Sequence, residues 1–165
     1  MAVTKDQHIV RYGVGGNADQ PFNQPIGANV TVYRGTIALT DGTTGYLKNP
    51  DTAVASTDVC WGLIQQCGPE SVDTGPGIAN TSSVSGVVTA DITPGTFFLA
   101  CDTTLTQANI GAQLYVKDAI TVSLTSTGRP KAGYLVSIDT TQTQAPGPYA
   151  VQMGTGISGP GGAGP

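Results

Sequence analysis

Charged side chains are scarce in this chain of 165 residues. They make up 11% of it, with 7 Lys and Arg against 11 Asp and Glu and a net charge of −4. Globular proteins average about 25%. Glutamate occurs once, at Glu70. Long helices need Ala, Leu, Glu and Lys on their exposed faces, so long helices are not expected. No basic run is present, and nucleic-acid binding needs clustered Lys and Arg to neutralise phosphates. No apolar run is long enough to span a bilayer as a helix. Neither nucleic acid nor membrane is therefore an expected partner. The N-terminus, MAVTKDQHIVR, has no apolar centre and no small-residue cleavage site. That predicts a chain made and kept in a cytosol, unless it leaves as part of something larger.

Chemistry-bearing residues are equally few. The single histidine is His8, with no candidate nucleophile near it in sequence. There are 3 cysteines, Cys60, Cys67 and Cys101, and their spacing suits no zinc knuckle. An odd number without secretion predicts free thiols, buried as small apolar groups. Gly13-Val14-Gly15-Gly16 lacks the strand, the helix and the Lys-Ser/Thr pair of a phosphate loop. Asp41, Asp51, Asp58, Asp73, Asp91, Asp102, Asp118 and Asp139 mostly sit at turn signals next to Gly, Thr or Pro, where local Asx-turns account for them. No catalytic residue, metal site, cofactor or small-molecule substrate is expected. Asn29-Val30-Thr31 and Asn80-Thr81-Ser82 are sequons, which matter only in a secreted eukaryotic protein.

What is abundant is Gly (23 residues) and Thr, which favour turns and strands respectively. Apolar residues alternate in short runs, the mark of strands with one buried face. Val30 and Val32 align, then Ile37 and Leu39, then Val59, Trp61 and Leu63. Gly62 inside that run signals a bulge or a close backbone approach. Val84, Val88, Ala90 and Ile92 form the next face. Phe97, Leu99 and Cys101 follow, then Leu114 and Val116, then Ile120, Val122 and Leu124. Tyr134, Val136 and Ile138 share a face, and Tyr149, Val151 and Met153 close the series. Asp41-Gly42 and Lys117-Asp118-Ala119 are turn signals, and Thr104 or Thr106 caps one helical turn ended by Gly111. About nine short strands spaced by turns predict an all-β fold, a small β-barrel or β-sandwich. No period of about 20–50 residues repeats.

Three regions result. Residues 1–27 read as an extended N-terminal arm whose apolar residues, Tyr12, Phe22 and Ile26 among them, pack back on the domain or onto a neighbour. Residues 28–153 form the β-domain, with an exposed interaction loop at Pro69–Ser83. Residues 154–165, GTGISGPGGAGP, form a disordered Gly/Pro-rich tail.

The order of segments resembles the capsid cement, or head decoration, proteins of tailed bacteriophages. The segments are VTVYRGTIALTDGTTGYL, CWGLIQ, VSGVVTADITPGTFFLAC, ANIGAQLYVKD and KAGYLVSID, over roughly residues 1–153. The resemblance implies a structural virion protein on the exterior of the capsid, present in the host cytoplasm during assembly. Its implied partner is the major capsid protein, which it binds as a homotrimer at three-fold positions to reinforce the shell. An N-terminal segment that reaches the shell or a neighbour is also implied. Arg11, Tyr12, Phe22 and Arg34 are the candidate anchors, since interfaces favour aromatic residues and Arg. A tail fibre, spike or adhesion module binding a host surface is the alternative, and a hydrolase using two aspartates the third reading.

Overall fold

The computed structural model describes residues 2–4, 21–64, 75–142 and 146–153. The fold is nearly all-β, as the composition predicts. Twelve strands occur among the described residues: β1 (Phe22–Pro25), β2 (Val30–Val32), β3 (Ile37–Thr40), β4 (Leu47–Lys48), β5 (Val59–Ile64), β6 (Ile78–Asn80), β7 (Thr89–Thr93), β8 (Gly95–Cys101), β9 (Gln113–Val116), β10 (Thr121–Ser123), β11 (Lys131–Ile138) and β12 (Tyr149–Met153). One 3₁₀ turn, Gln107–Asn109, lies between β8 and β9. Thr106 starts it as expected, with its N–H donating to Asn109 Oδ1 at 2.8 Å.

Strands β8 to β12 close into a small barrel in the order β10-β8-β12-β11-β9, with β9 pairing back to β10. All its pairs are antiparallel except β10 with β8. Closure leaves no free edge for another strand to join. Phe97, Leu99, Leu114, Val116, Val122, Leu135, Val151 and Met153 are fully buried in its core. The remaining long strands form a five-stranded sheet, β1-β7-β5-β3-β4. Its two outer strands meet through a parallel bridge between Ile26 and Leu47, where Gly27 N–H donates to the Leu47 carbonyl at 2.9 Å. The sheet is thus curled until it shuts around a second core of Ile26, Ala38, Leu47, Ile64, Ala90 and Ile92. The ribbon of β2 and β6 contributes Val32 and Ile78 to that core.

The two halves are built alike, strand for strand. Phe22 opposes Ile92 as Phe97 opposes Val151. Ile64 opposes Ile92 as Leu135 opposes Val151. Thr40 opposes Leu47 as Val116 opposes Val122. The parallel seam joins Ile26 to Leu47 in one half and Cys101 to Val122 in the other. Even the irregularity recurs. Ala38 and Leu39 oppose Gly62 and Cys60, skipping Trp61; Leu114 and Tyr115 oppose Gly133 and Lys131, skipping Ala132. Turns agree as well: Gly35 N–H donates to the Ile64 carbonyl at 2.9 Å, and Gly111 N–H to the Leu135 carbonyl at 2.8 Å. The repeat covers about half the described chain, longer than the 20–50-residue periods that mark solenoids and propellers.

Gly62 bears out both readings offered for it. It follows the bulged residue, and a Cβ there would lie 2.4 Å from the Thr93 carbonyl oxygen. Its counterpart Gly133 would meet the Gln152 carbonyl oxygen at 1.9 Å. Any side chain at either position collides with the neighbouring strand's backbone.

Several expectations need correction. The arm does not extend to residue 27: Phe22–Pro25 is strand β1, paired with β7, and Ile26 is completely buried. Its Asn, Gln and Pro carry no strand pattern, and pairing to β7 overrides local preference. The loop assigned to Pro69–Ser83 contains β6. Strand β7 begins at Thr89, so Val84 is an exposed loop residue. On β11 the buried face carries Leu135, and Tyr134 and Val136 point outward while Ile138 packs on the core; the register shifts between Lys131 and Gly133 opposite β9 and between Leu135 and Ser137 opposite β12, so the expected face is broken. Leu124 lies beyond the end of β10 and is exposed.

Candidate functional surface

Cross-strand register brings several of the residues singled out by sequence to one end of the first barrel. Phe22 opposes Ile92, Ile92 opposes Ile64, and Ile64 N–H donates to the Thr36 carbonyl at 2.8 Å. These residues form one row across the sheet, about 14 Å wide at the usual strand spacing. At one end of the row, Phe22 is where the N-terminal segment joins the sheet. In the middle, Ile64 is where the chain leaves β5 towards residues 65–74. At the other end is the turn Tyr33–Thr36, which carries Arg34. Arg34 is half-buried. The turn is pinned by Gly35 N–H and by Thr36 Oγ1, which donates to the Tyr33 carbonyl at 2.6 Å.

Phe22 itself is half-buried rather than free. Its ring meets Trp61 edge to face, with centroids 5.8 Å apart and planes at 78°. Trp61 Nε1 in turn donates to Thr40 Oγ1 at 2.9 Å. Phe22 therefore stiffens this end of the barrel and offers only part of its ring to a partner. Arg11 and Tyr12 lie outside the described residues, as do His8, Cys67, the loop at 65–74 and the tail from 154. The first residues of the chain dock on the domain: Val3 is buried, and its N–H donates to Asp51, whose other oxygen accepts from Ala119 N–H at 3.1 Å. Val3, Phe22 and Ile26 thus pack back on their own domain.

Asp41, Asp118 and Asp139 behave as the turn reading expects, whereas Asp51, Asp58, Asp91 and Asp102 engage other parts of the chain. Asp41 Oδ1 accepts from Thr44 N–H at 2.8 Å and Thr43 N–H at 2.9 Å, and these bonds, that from Thr44 foremost, hold its carboxyl below the usual range. Asp139 is lowered likewise by Thr141, through its hydroxyl at 2.6 Å and its N–H at 2.9 Å. Asp58, by contrast, is buried. It accepts from Ala55 N–H at 2.7 Å and Gly42 N–H at 3.1 Å and pairs with Lys48 Nζ at 2.6 Å. Asp102 holds Lys117 at 3.6 Å and Arg129 at 3.5 Å on the second barrel. Among the described residues no three His, Cys, Asp or Glu side chains gather as a metal site would require. Cys60 and Cys101 are free thiols; burial pushes the Cys60 thiol up to about 12, so it is no nucleophile at neutral pH. The sequon residue Asn80 is buried, and its amide is committed to three backbone carbonyls.

One surface was missed by sequence reasoning. Tyr134, Val136 and Ile110 are exposed on the outer wall of the second barrel. Alternation assigns Tyr134 and Val136 to the core, whereas in the paired strand, irregular on both sides, it is Leu135 that faces inward. Comparison with protein-family models, with characterised proteins and with solved structures finds no match.

Proposed function

We propose that this chain is a structural virion protein that binds the outer surface of a phage capsid and stabilises the shell. In this reading it acts as a homotrimer at three-fold positions, with the major capsid protein as its partner. The observation that carries the reading is the convergence at the row from Phe22 to Thr36. The N-terminal segment, the 65–74 connection and the Arg34 turn all leave from this one end of a rigid barrel. Such an end suits attachment, because the chain's connections and Arg34 gather there. The segments on which the resemblance to cement proteins rests contribute to β2–β5, β7–β9 and β11. A low-charge, hydroxyl-rich surface also fits shell binding. Stable interfaces of about 1,200–2,000 Å² rely on apolar and aromatic anchors, with charged residues depleted at their centre.

The test is the copy number of the chain in purified particles, measured against the major shell protein by quantitative mass spectrometry. Copies comparable to the shell protein are expected. A few dozen copies or fewer would turn the reading to a tail fibre, spike or adhesion module. Absence from particles would refute both.

A further inference from the structure

The likeness of the two barrels exposes an asymmetry. On the first barrel, Ile37, Leu39, Cys60 and Leu63 face away from that barrel's own interior. All four are buried, and they share one continuous core with Phe97, Leu99, Leu135 and Val151 of the second barrel. Ile37 N–H also donates to the Ala119 carbonyl in the β9–β10 hairpin at 2.8 Å. This wall is therefore the seat on which the second barrel sits.

By register, the counterparts of those residues on the second barrel are Gln113, Tyr115, Lys131 and Tyr134. Nothing in the chain's described residues seals this wall as the first is sealed. Tyr134 is 42% exposed, Val136 beside it 37%, and Ile110, in the turn bonded to β11 through Gly111, 41%. These are three of the six large apolar side chains exposed on the described surface. Isolated exposed apolar residues need no explanation, whereas a cluster on one wall does.

We propose that this wall, formed by Ile110, Gln113, Tyr115, Lys131, Tyr134 and Val136, binds a second copy of this chain. The occupant follows from the interface already inside the molecule, where the equivalent wall takes a barrel of the same construction. The wall is more polar than its counterpart: Gln, Tyr, Lys and Tyr stand in place of Ile, Leu, Cys and Leu. That composition suits a reversible contact between folded chains, with tyrosines at its centre and Lys131 at its rim. The barrel has no free edge, so side chains make the contact. Two unlike surfaces meet, which makes the association head-to-tail, closing into a ring or extending as a filament according to its rotation. The inference gives the homotrimer of the capsid reading a surface, yet it is argued from the chain alone and is tested in solution.

Sedimentation velocity of the purified full chain, from micromolar to millimolar concentration, tests it. Concentration-dependent association is expected, weakened at least tenfold by Tyr134→Glu and, on a separate element, by Ile110→Asp. Both variants sit at exposed positions, and circular dichroism should show them folded. A chain that stays monomeric throughout, or folded variants that associate as well as the parent, would overturn the proposal. So would disulfide-linked dimers of a Tyr134→Cys variant joined at that position, because they report a face-to-face contact. Association with no particle incorporation would sink the capsid reading and leave this one standing.

Discussion

Replacing Asn80 by Ala should cost the fold about 3 kcal/mol. Asn80 is 1% exposed, and its Nδ2 lies 3.1 Å from the Ile26 carbonyl and 3.0 Å from those of Gly27 and Val84. Its Oδ1 accepts from Ser82 N–H at 3.1 Å. An amide nitrogen carries two hydrogens, so three acceptors share two donors. Alanine removes them all. The Ile26 carbonyl keeps a bond from Gly86 N–H at 2.8 Å, but those of Gly27 and Val84 lose the side chain that satisfied them. An unsatisfied buried polar group costs about 1–3 kcal/mol, and water reaches the exposed Val84 segment more easily than Gly27, so a total near 3 is expected. That is a large fraction of the roughly 5–15 kcal/mol by which domains are stable. Urea unfolding followed by the fluorescence of Trp61, the only tryptophan, measures it, with an unchanged m-value as the control. Asn80→Asp sharpens the test. It keeps the shape but sets a carboxylate against three carbonyls, which raises its native pKa above that in the unfolded chain. The native state then binds more protons than the unfolded state, so the variant loses stability as pH rises and regains it in acid. At neutral pH it should be less stable than Asn80→Ala. A loss below about 1 kcal/mol for Asn80→Ala, or an Asp variant without acid rescue, would refute the role given to this amide.

Other consequences follow from the same geometry. Gly62→Ala and Gly133→Ala should each destabilise by more than about 3 kcal/mol or prevent folding, because each Cβ meets a neighbouring backbone oxygen; near-parental melting of either would contradict the shared bulge. Cys60 should resist alkylation in the native state and label only as the protein unfolds, as peptide mass spectrometry can show. Its native thiol stays protonated where the unfolded chain's ionises, so stability should fall as pH rises from about 9 towards 12, a slope that Cys60→Ala should lack. Deleting residues 2–20 should abolish attachment to particles and leave the body folded but less stable, since the sheet starts at Phe22 while the buried Val3 and its bond to Asp51 are lost; intact attachment would exclude the N-terminal segment as the tether.

Much of the architecture was readable from residues alone, and the parts that were not share a physical cause. Composition excluded long helices, and alternation located β3, β5, β8, β9 and β12, because a period of two is a local property of any strand with one buried face. Asp41-Gly42 and Lys117-Asp118-Ala119 were legible as turns for the same reason, since their hydrogen bonds span only a few residues. Strand β1 was invisible, because Asn23, Gln24 and Pro25 carry no strand pattern and are ordered by pairing with β7. So was the outward turn of Tyr134 and Val136, in a strand whose register shifts are defined only against its partners β9 and β12.

The doubled barrel is the plainest case. The sequence has the same residue at Phe22 and Phe97, at Gly35 and Gly111 and at Gly62 and Gly133, while other equivalent positions share little beyond being apolar, as Ile64 with Leu135 and Ile92 with Val151. Glycine stands at both Gly62 and Gly133 because backbone contact admits nothing else, whereas core positions accept any side chain that fills the volume. Local chemistry therefore determined that this chain forms strands and turns. Which strands meet, which end gathers the Phe22 row, and which wall is left uncovered were decided by long-range pairing, which no neighbouring residues encode.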